Sequence, residues 1–128
     1  MNTLPKSESL KSKTLIRLLF QKGNADFVFP FKTLHTEIVS APENNPRALL
    51  LISVGKRKIR NAVDRNHIKR LIREAYRKNK HELISLLENK EQHIALAFVY
   101  VGKVNPESVF IEEKLKIAIS QLISALGK

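Results

Sequence analysis

Apolar positions along the chain follow a helical period in some stretches and a strand pattern in others, and the switches between the two mark its elements. Ser12 is placed to cap a helix over Lys13–Lys22 that Gly23 stops, with Ile16, Leu19 and Phe20 sharing one face. Pro30 interrupts Phe27–Phe31, so extended structure there belongs at an edge or a bend. Phe31–Val39 reads as a strand, and Ala41-Pro-Glu-Asn-Asn-Pro46 as a turn. The run Ala48-Leu-Leu-Leu-Ile-Ser-Val54 predicts a central strand buried on both faces. Helical spacing returns from about Asn61 to at least Lys78. His81–Gln92 is ambiguous and leaves room for a further helical turn or two around Leu83 and Leu87. His93–Val101 is a second strong strand, ended by Gly102. Asn105, Pro106 and Glu107 supply a cap, a first-position proline and a first-turn acid for a last helix. Its buried stripe is Ile111, Leu115, Ala118, Leu122 and Leu126, and Gly127 closes it.

The order αβββαβα predicts an α+β chain, a single compact α/β sandwich with one layer of helices on one sheet. Residues 1–11 read as a flexible polar arm and 12–128 as one domain. At 128 residues and 43% hydrophobic, the chain can bury a core without metal or disulfide support. It has no cysteine, which excludes disulfides, thiolate catalysis and cysteine zinc sites. No apolar run reaches the ~18–20 residues of a membrane span, and the N-terminus lacks the order of a secretory signal. The expectation is a cytoplasmic protein with no membrane partner.

Charge changes this picture, because it is concentrated. Of a formal net charge of +11, the segment Lys56–Lys80 carries +9, from eleven Lys or Arg against Asp64 and Glu74. Concentration of this kind marks a site for a polyanion, nucleic acid first. At about 100° per residue, Arg65, Asn66, Lys69, Arg70, Arg73 and Arg77 fall on one side of the helix. Ile68, Leu71, Ile72, Ala75 and Tyr76 fall on the other. Glu74 flanks the cationic face and can pair with Arg70 or Lys78 four residues away. Guanidinium forks and lysine point charges suit phosphate oxygens, giving strong, salt-sensitive binding. Lys56, Arg57, Lys58 and Arg60 extend the same surface ahead of the helix.

Ala62-Val-Asp-Arg-Asn-His-Ile-Lys-Arg-Leu-Ile-Arg-Glu74 resembles the hallmark Ala-Val-x-Arg-Asn-x-x-Lys-Arg-x-x-Arg-Glu of the bacterial ribonuclease P protein component, and every specified position matches. The resemblance implies a fold like the second domain of ribosomal protein S5, with a left-handed βαβ crossover against the usual hand. It also implies an RNA-binding subunit in tRNA 5′-end maturation. Its partners would be the catalytic RNA subunit and precursor tRNA, with no small-molecule substrate. Arg65, Asn66, Lys69, Arg70 and Arg73 would touch the catalytic RNA. A cleft between the first helix and the sheet, with Ile16, Phe20, Phe29, Phe31 and Lys32 as candidates, would hold the single-stranded 5′ leader. Phosphodiester hydrolysis would use Mg2+ bound mainly by the RNA, with no metal held by the protein alone. The chain departs from the pattern at Arg60, where the family usually has glycine, in a basic loop one residue longer, and at Ile16, where an aromatic is common.

Nothing else in the chain suggests chemistry. His35, His67, His81 and His93 have no metal-ligand spacing, and no glycine-rich phosphate loop exists. Glu112 and Glu113 belong to the last helix and do not form an acid/base pair. No catalytic residue is expected in the protein. The rival reading is a ribosomal or other nucleic-acid-binding protein that uses the basic helix without an associated nuclease activity. Base-edge readout would need more than Asn66, since the rest of that face is phosphate chemistry.

Overall fold

A computed structural model describes residues 6–39, 41–42 and 44–127. The elements are α1 (Lys13–Lys22), β1 (Asn24–Val28), β2 (Phe31–Glu37), β3 (Ala48–Val54), α2 (Ala62–Asn79), α3 (His81–Asn89), β4 (Ile94–Tyr100) and α4 (Ser108–Leu126). The four strands form one sheet in the order β1-β2-β4-β3, antiparallel except for the parallel pair β3 and β4. The crossover joining that pair contains α2 and α3. The ambiguous stretch after α2 is therefore a separate helix, with Leu83 and Leu87 buried.

The sheet carries helices on both faces, where one helical layer was expected. Phe31, Leu50, Val54, Ile94, Leu96, Phe98 and Tyr100 point to one side. There they pack on Ile68, Ile72 and Tyr76 of α2, Leu83 and Leu87 of α3, and the predicted stripe of α4. Phe98 meets Phe31 and Tyr76 edge to face, with centroids 6.1 and 6.0 Å apart. Leu34, Ala95 and Ala97 point the other way, into a smaller core with Leu10 and Leu19. The alternation of β4 explains the two cores: its even-numbered residues face three helices and its odd-numbered residues face α1.

β3 was expected to be central and is an edge strand. Its apolar run comes from packing on both faces, Leu50 and Val54 in the larger core and Leu49 and Leu51 against the smaller one, and says nothing about pairing on both edges. Part of its free edge is closed by the segment before α1. Ser9 bridges Leu50, and the Leu10 amide donates to the Leu50 carbonyl at 2.8 Å. Glu8 accepts from Lys80 Nζ at 2.7 and 2.9 Å, tying the segment to the end of α2. Met1–Pro5 of the expected arm lie outside the described residues, but residues 6–10 are docked where a loose arm was expected. Glu43 of the predicted turn also lies outside them. Asn45 N–H nevertheless donates to the Pro42 carbonyl at 3.0 Å.

Two glycines are required by close approach. Gly23 donates to the Leu19 carbonyl, and a Cβ there would come within 2.3 Å of that oxygen, so α1 ends as predicted. At Gly102 a Cβ would lie 2.6 Å from the Tyr100 hydroxyl, which donates to the Lys103 carbonyl at 2.7 Å. That bonded turn delays the last helix, which begins at Ser108 with Glu107 at the cap position and no side-chain cap. Asn105 and Pro106 stay in the turn. Pro30 occupies the β1–β2 turn, and β1 is the other edge of the sheet, as its sequence required.

Candidate nucleic-acid interface

Asn61 starts α2 by capping it, its Oδ1 accepting from the Val63 amide at 2.9 Å. The cap and the buried side of the helix fix its rotation. Ile68, Ile72, Ala75 and Tyr76 are buried, and the side opposite them carries the cations. Asn66, Arg70 and Arg73 are exposed, and Arg65, Lys69 and Arg77 are half-buried along the rim. Lys56, Arg57, Lys58 and Arg60 are all exposed in the loop that leads in, while Ile59 between them is 2% exposed and anchors that loop in the core. All ten predicted residues are thus exposed or half-buried, on the loop and on the outer side of α2. Lys69 and Arg73 border a shallow cavity of about 150 Å³ against Ser9 and the open edge of β3.

Three of the nine guanidinium and ammonium groups among them are partly spent inside the protein. Arg77 is paired with Glu74, Nη2 to Oε1 at 2.7 Å, three residues apart, in place of the expected partners Arg70 and Lys78. Its hydrogen bond holds the Glu74 carboxyl below the ordinary carboxylate value. Arg65 Nη1 donates to the carbonyls of Ile59 and Arg60 at 2.7 and 2.8 Å. Lys58 Nζ makes a long contact of 3.4 Å with the Val101 carbonyl. Among the described residues, no ion pair engages Lys56, Arg57, Arg60, Lys69, Arg70 or Arg73.

The aromatic candidates separate. Ile16 and Phe20 lie four residues apart on a flank of α1, Ile16 packed against the smaller core and Phe20 48% exposed. Lys32 is exposed on the same face of the sheet, since its neighbour on β4, Val99, packs on that core. Phe31 is not available: its side chain points to the opposite face, is 0% exposed and meets Phe98 and Tyr100 edge to face. Phe29 is exposed but also lies on that other side, lining a cavity with Val28, Tyr100 and Phe110 of α4. Strand alternation decides both cases, since Phe31 and Lys32 must point in opposite directions.

Sequence reading did not single out Phe27. It pairs with Lys32, and Lys32 with Val99, which in turn pairs with Ser53. Phe27, Lys32, Val99 and Ser53 therefore make a row across all four strands on the α1 side. Phe27 is 57% exposed. An unburied aromatic on an edge strand was the available signal, but its face depends on a register that one chain's pattern does not reveal.

The buried polar groups serve the fold. His93 sits between the Pro46 carbonyl and Arg47, with ring nitrogens at 3.2 and 3.3 Å. His35 is buried on the α4 side, where burial lowers its pKa against the opposing influence of Asp26. Burial pushes the Tyr76 and Tyr100 hydroxyls up. Among the described residues, no cluster of His, Asp or Glu could hold a metal ion, and no helix is long and apolar enough to cross a membrane.

Comparison with known proteins agrees with this geometry. Residues 4–110 match the family described as Ribonuclease P. The chain is 32% identical over 119 residues to a ribonuclease P protein component of Porphyromonas gingivalis, covering 93% of this chain and 85% of that one. It is 35% identical over 111 residues to one of Chlorobaculum tepidum, covering 81% and 71%. The fold matches the Staphylococcus aureus RNase P protein with a TM-score of 0.69 at 20% identity, over 91% of this chain and 96% of that one. The Thermotoga maritima RNase P protein matches with 0.67 at 19% identity, over 88% and 96%. The exposed cationic helix, the crossover that holds it and these matches together place the chain in the ribonuclease P protein component family.

Proposed function

We propose that the chain binds the catalytic RNA subunit of ribonuclease P through the loop and outer face of α2. Lys56, Arg57, Lys58, Arg60, Asn66, Lys69, Arg70 and Arg73 meet phosphate oxygens, with Arg65 and Arg77 at the margins. The observation that carries this reading is the orientation of α2. Ile68, Ile72, Ala75 and Tyr76 are buried while most of its cations are turned outward without acidic partners among the described residues. Like charges kept this close repel unless a polyanion neutralises them.

Precursor tRNA takes a second surface on the α1 side of the sheet. There the row Phe27, Lys32 and Val99 lies beside the Ile16–Phe20 flank of α1. Bases of a single strand stack on Phe27 and Phe20, and Lys32 meets the backbone. This placement replaces Phe29 and Phe31 with Phe27. Hydrolysis of the phosphodiester at the 5′ end of the tRNA belongs to the RNA subunit and its Mg2+. The protein lowers the magnesium requirement by neutralising phosphates and holding the leader. Cytoplasm is the matching compartment.

Reconstitution tests the proposal. Added to the cognate catalytic RNA at low magnesium, the protein should accelerate 5′-leader removal from precursor tRNA well beyond RNA alone. Equal rates with and without protein would refute it.

A further inference from the structure

Arg65 is the one cation of the α2 face whose guanidinium is turned back onto the loop that precedes the helix. Both Nη1 bonds, to the carbonyls of Ile59 and Arg60, end on the last two residues of that loop. Those carbonyls face a full positive charge, so the bonds are of the charge-assisted kind. The loop has few other restraints. Ile59 is buried and its amide donates to the Gly55 carbonyl at 3.3 Å, Lys58 Nζ reaches the Val101 carbonyl only at 3.4 Å, and Lys56, Arg57, Lys58 and Arg60 are exposed. Four cations on so short a segment repel one another and favour an open, disordered loop unless something opposes that tendency. Asn61 fixes only the start of the helix that follows.

We infer that Arg65 is a positioning residue that holds the Lys56–Arg60 loop in the arrangement that meets the catalytic RNA, so that most of its contribution to RNA binding passes through the loop. The inference rests on the proposed function of the α2 face. It departs from the simplest view of the motif, in which each of its cations makes its own phosphate contact. It also accounts for a basic loop that carries Arg60 without a glycine hinge, since both carbonyls that frame Arg60 are spoken for. Lysine does not substitute for this role. Its one nitrogen is a bond closer to the backbone than Nη1, and it lacks the planar fork.

The experiment is a double-mutant cycle on affinity for the catalytic RNA, with its salt dependence. Arg65→Lys keeps the charge, and Lys56→Gln with Arg57→Gln removes two loop charges. In the native loop, Arg65→Lys should weaken binding about five- to tenfold and lower the salt slope by roughly 1, although formal charge is unchanged. In the Lys56→Gln/Arg57→Gln background the same substitution should cost less than about twofold. Gly55→Ala, which places its Cβ in open space, should restore part of the loss by restricting the loop. Equal costs in both backgrounds, or an unchanged slope, would overturn the inference and make Arg65 an independent RNA contact. If Arg65→Lys does not fold, amide exchange in the native protein supplies the second reading: the Ile59 amide, bonded to the Gly55 carbonyl, should exchange more slowly than that of exposed Asn44, and equal rates would overturn the inference. A native protein that does not bind the catalytic RNA at all fails the proposed function first, and this inference with it.

Discussion

The two faces of α2 and the two faces of the sheet offer the same contrast in different materials. On α2, an apolar side and a cationic side are written within a single stretch of sequence, and a 3.6-residue period separates them. On the sheet, the row Phe27, Lys32, Val99 and Ser53 is collected from four strands and becomes a surface only once they are in register. The first surface is strong and non-specific in chemistry, with guanidinium and ammonium groups turned to solvent. The second is sparse, with one cation and exposed aromatic rings. Charge close together in sequence is legible as a surface suited to a polyanion, whereas the surface proposed for a single strand needs tertiary structure to bring its parts together.

That contrast can be broken first at α2 itself. Ile72 is fully buried, so Ile72→Ala should destabilise the fold by about 3 kcal/mol, read as a lower midpoint in urea unfolding. Arg70→Ala with Arg73→Ala should leave that midpoint nearly unchanged. The pair should instead weaken binding to the catalytic RNA by about 100-fold and reduce the salt slope by roughly 2. A slope equal to that of the native chain would show that the outward face is not the contact.

The groove gives the smaller effect. Phe27→Ala removes one stacking ring, and should weaken binding of a single-stranded RNA about tenfold, measured by fluorescence anisotropy. Affinity for the catalytic RNA should be unaffected. Phe31→Ala should behave in the opposite way, losing stability because its ring belongs to the core.

The least effect concerns His35, on the buried side of the sheet. Burial lowers its pKa from 6.5, so the folded protein resists a proton that the unfolded chain accepts. Stability associated with this group is therefore complete above that value and falls as the pH drops through it. The melting temperature should fall between pH 7.5 and 5.5, and His35→Gln should flatten that decline.

How much of this could be read in the sequence follows from where each signal resides. The span of α1 and the cationic face of α2 were readable because caps, stops and period all lie within one segment. The start of α4 was missed by a turn that Tyr100 holds through the Lys103 carbonyl, a contact no local pattern announces. The edge position of β3 and the second helical layer were hidden for one reason. A strand covered by helices on both faces has the same apolar run wherever it stands in a sheet. Phe31 was assigned to a face it does not occupy, and the exposure of Phe27 on the α1 side went unread, because facing depends on register. The inward turn of Arg65 has no sequence signal, since an arginine on a cationic face reads the same whether it meets RNA or a carbonyl.

Leader and catalytic RNA are proposed to occupy separate surfaces of one small protein. That separation is tested most directly by measuring, at low magnesium, the protein's acceleration of cleavage for precursors with a long and with a one-nucleotide leader, using the native chain and Phe27→Ala. The native protein should favour the long leader, and Phe27→Ala should lose most of that preference while still binding the catalytic RNA normally. A preference that persists undiminished in Phe27→Ala would show that the leader does not use this surface.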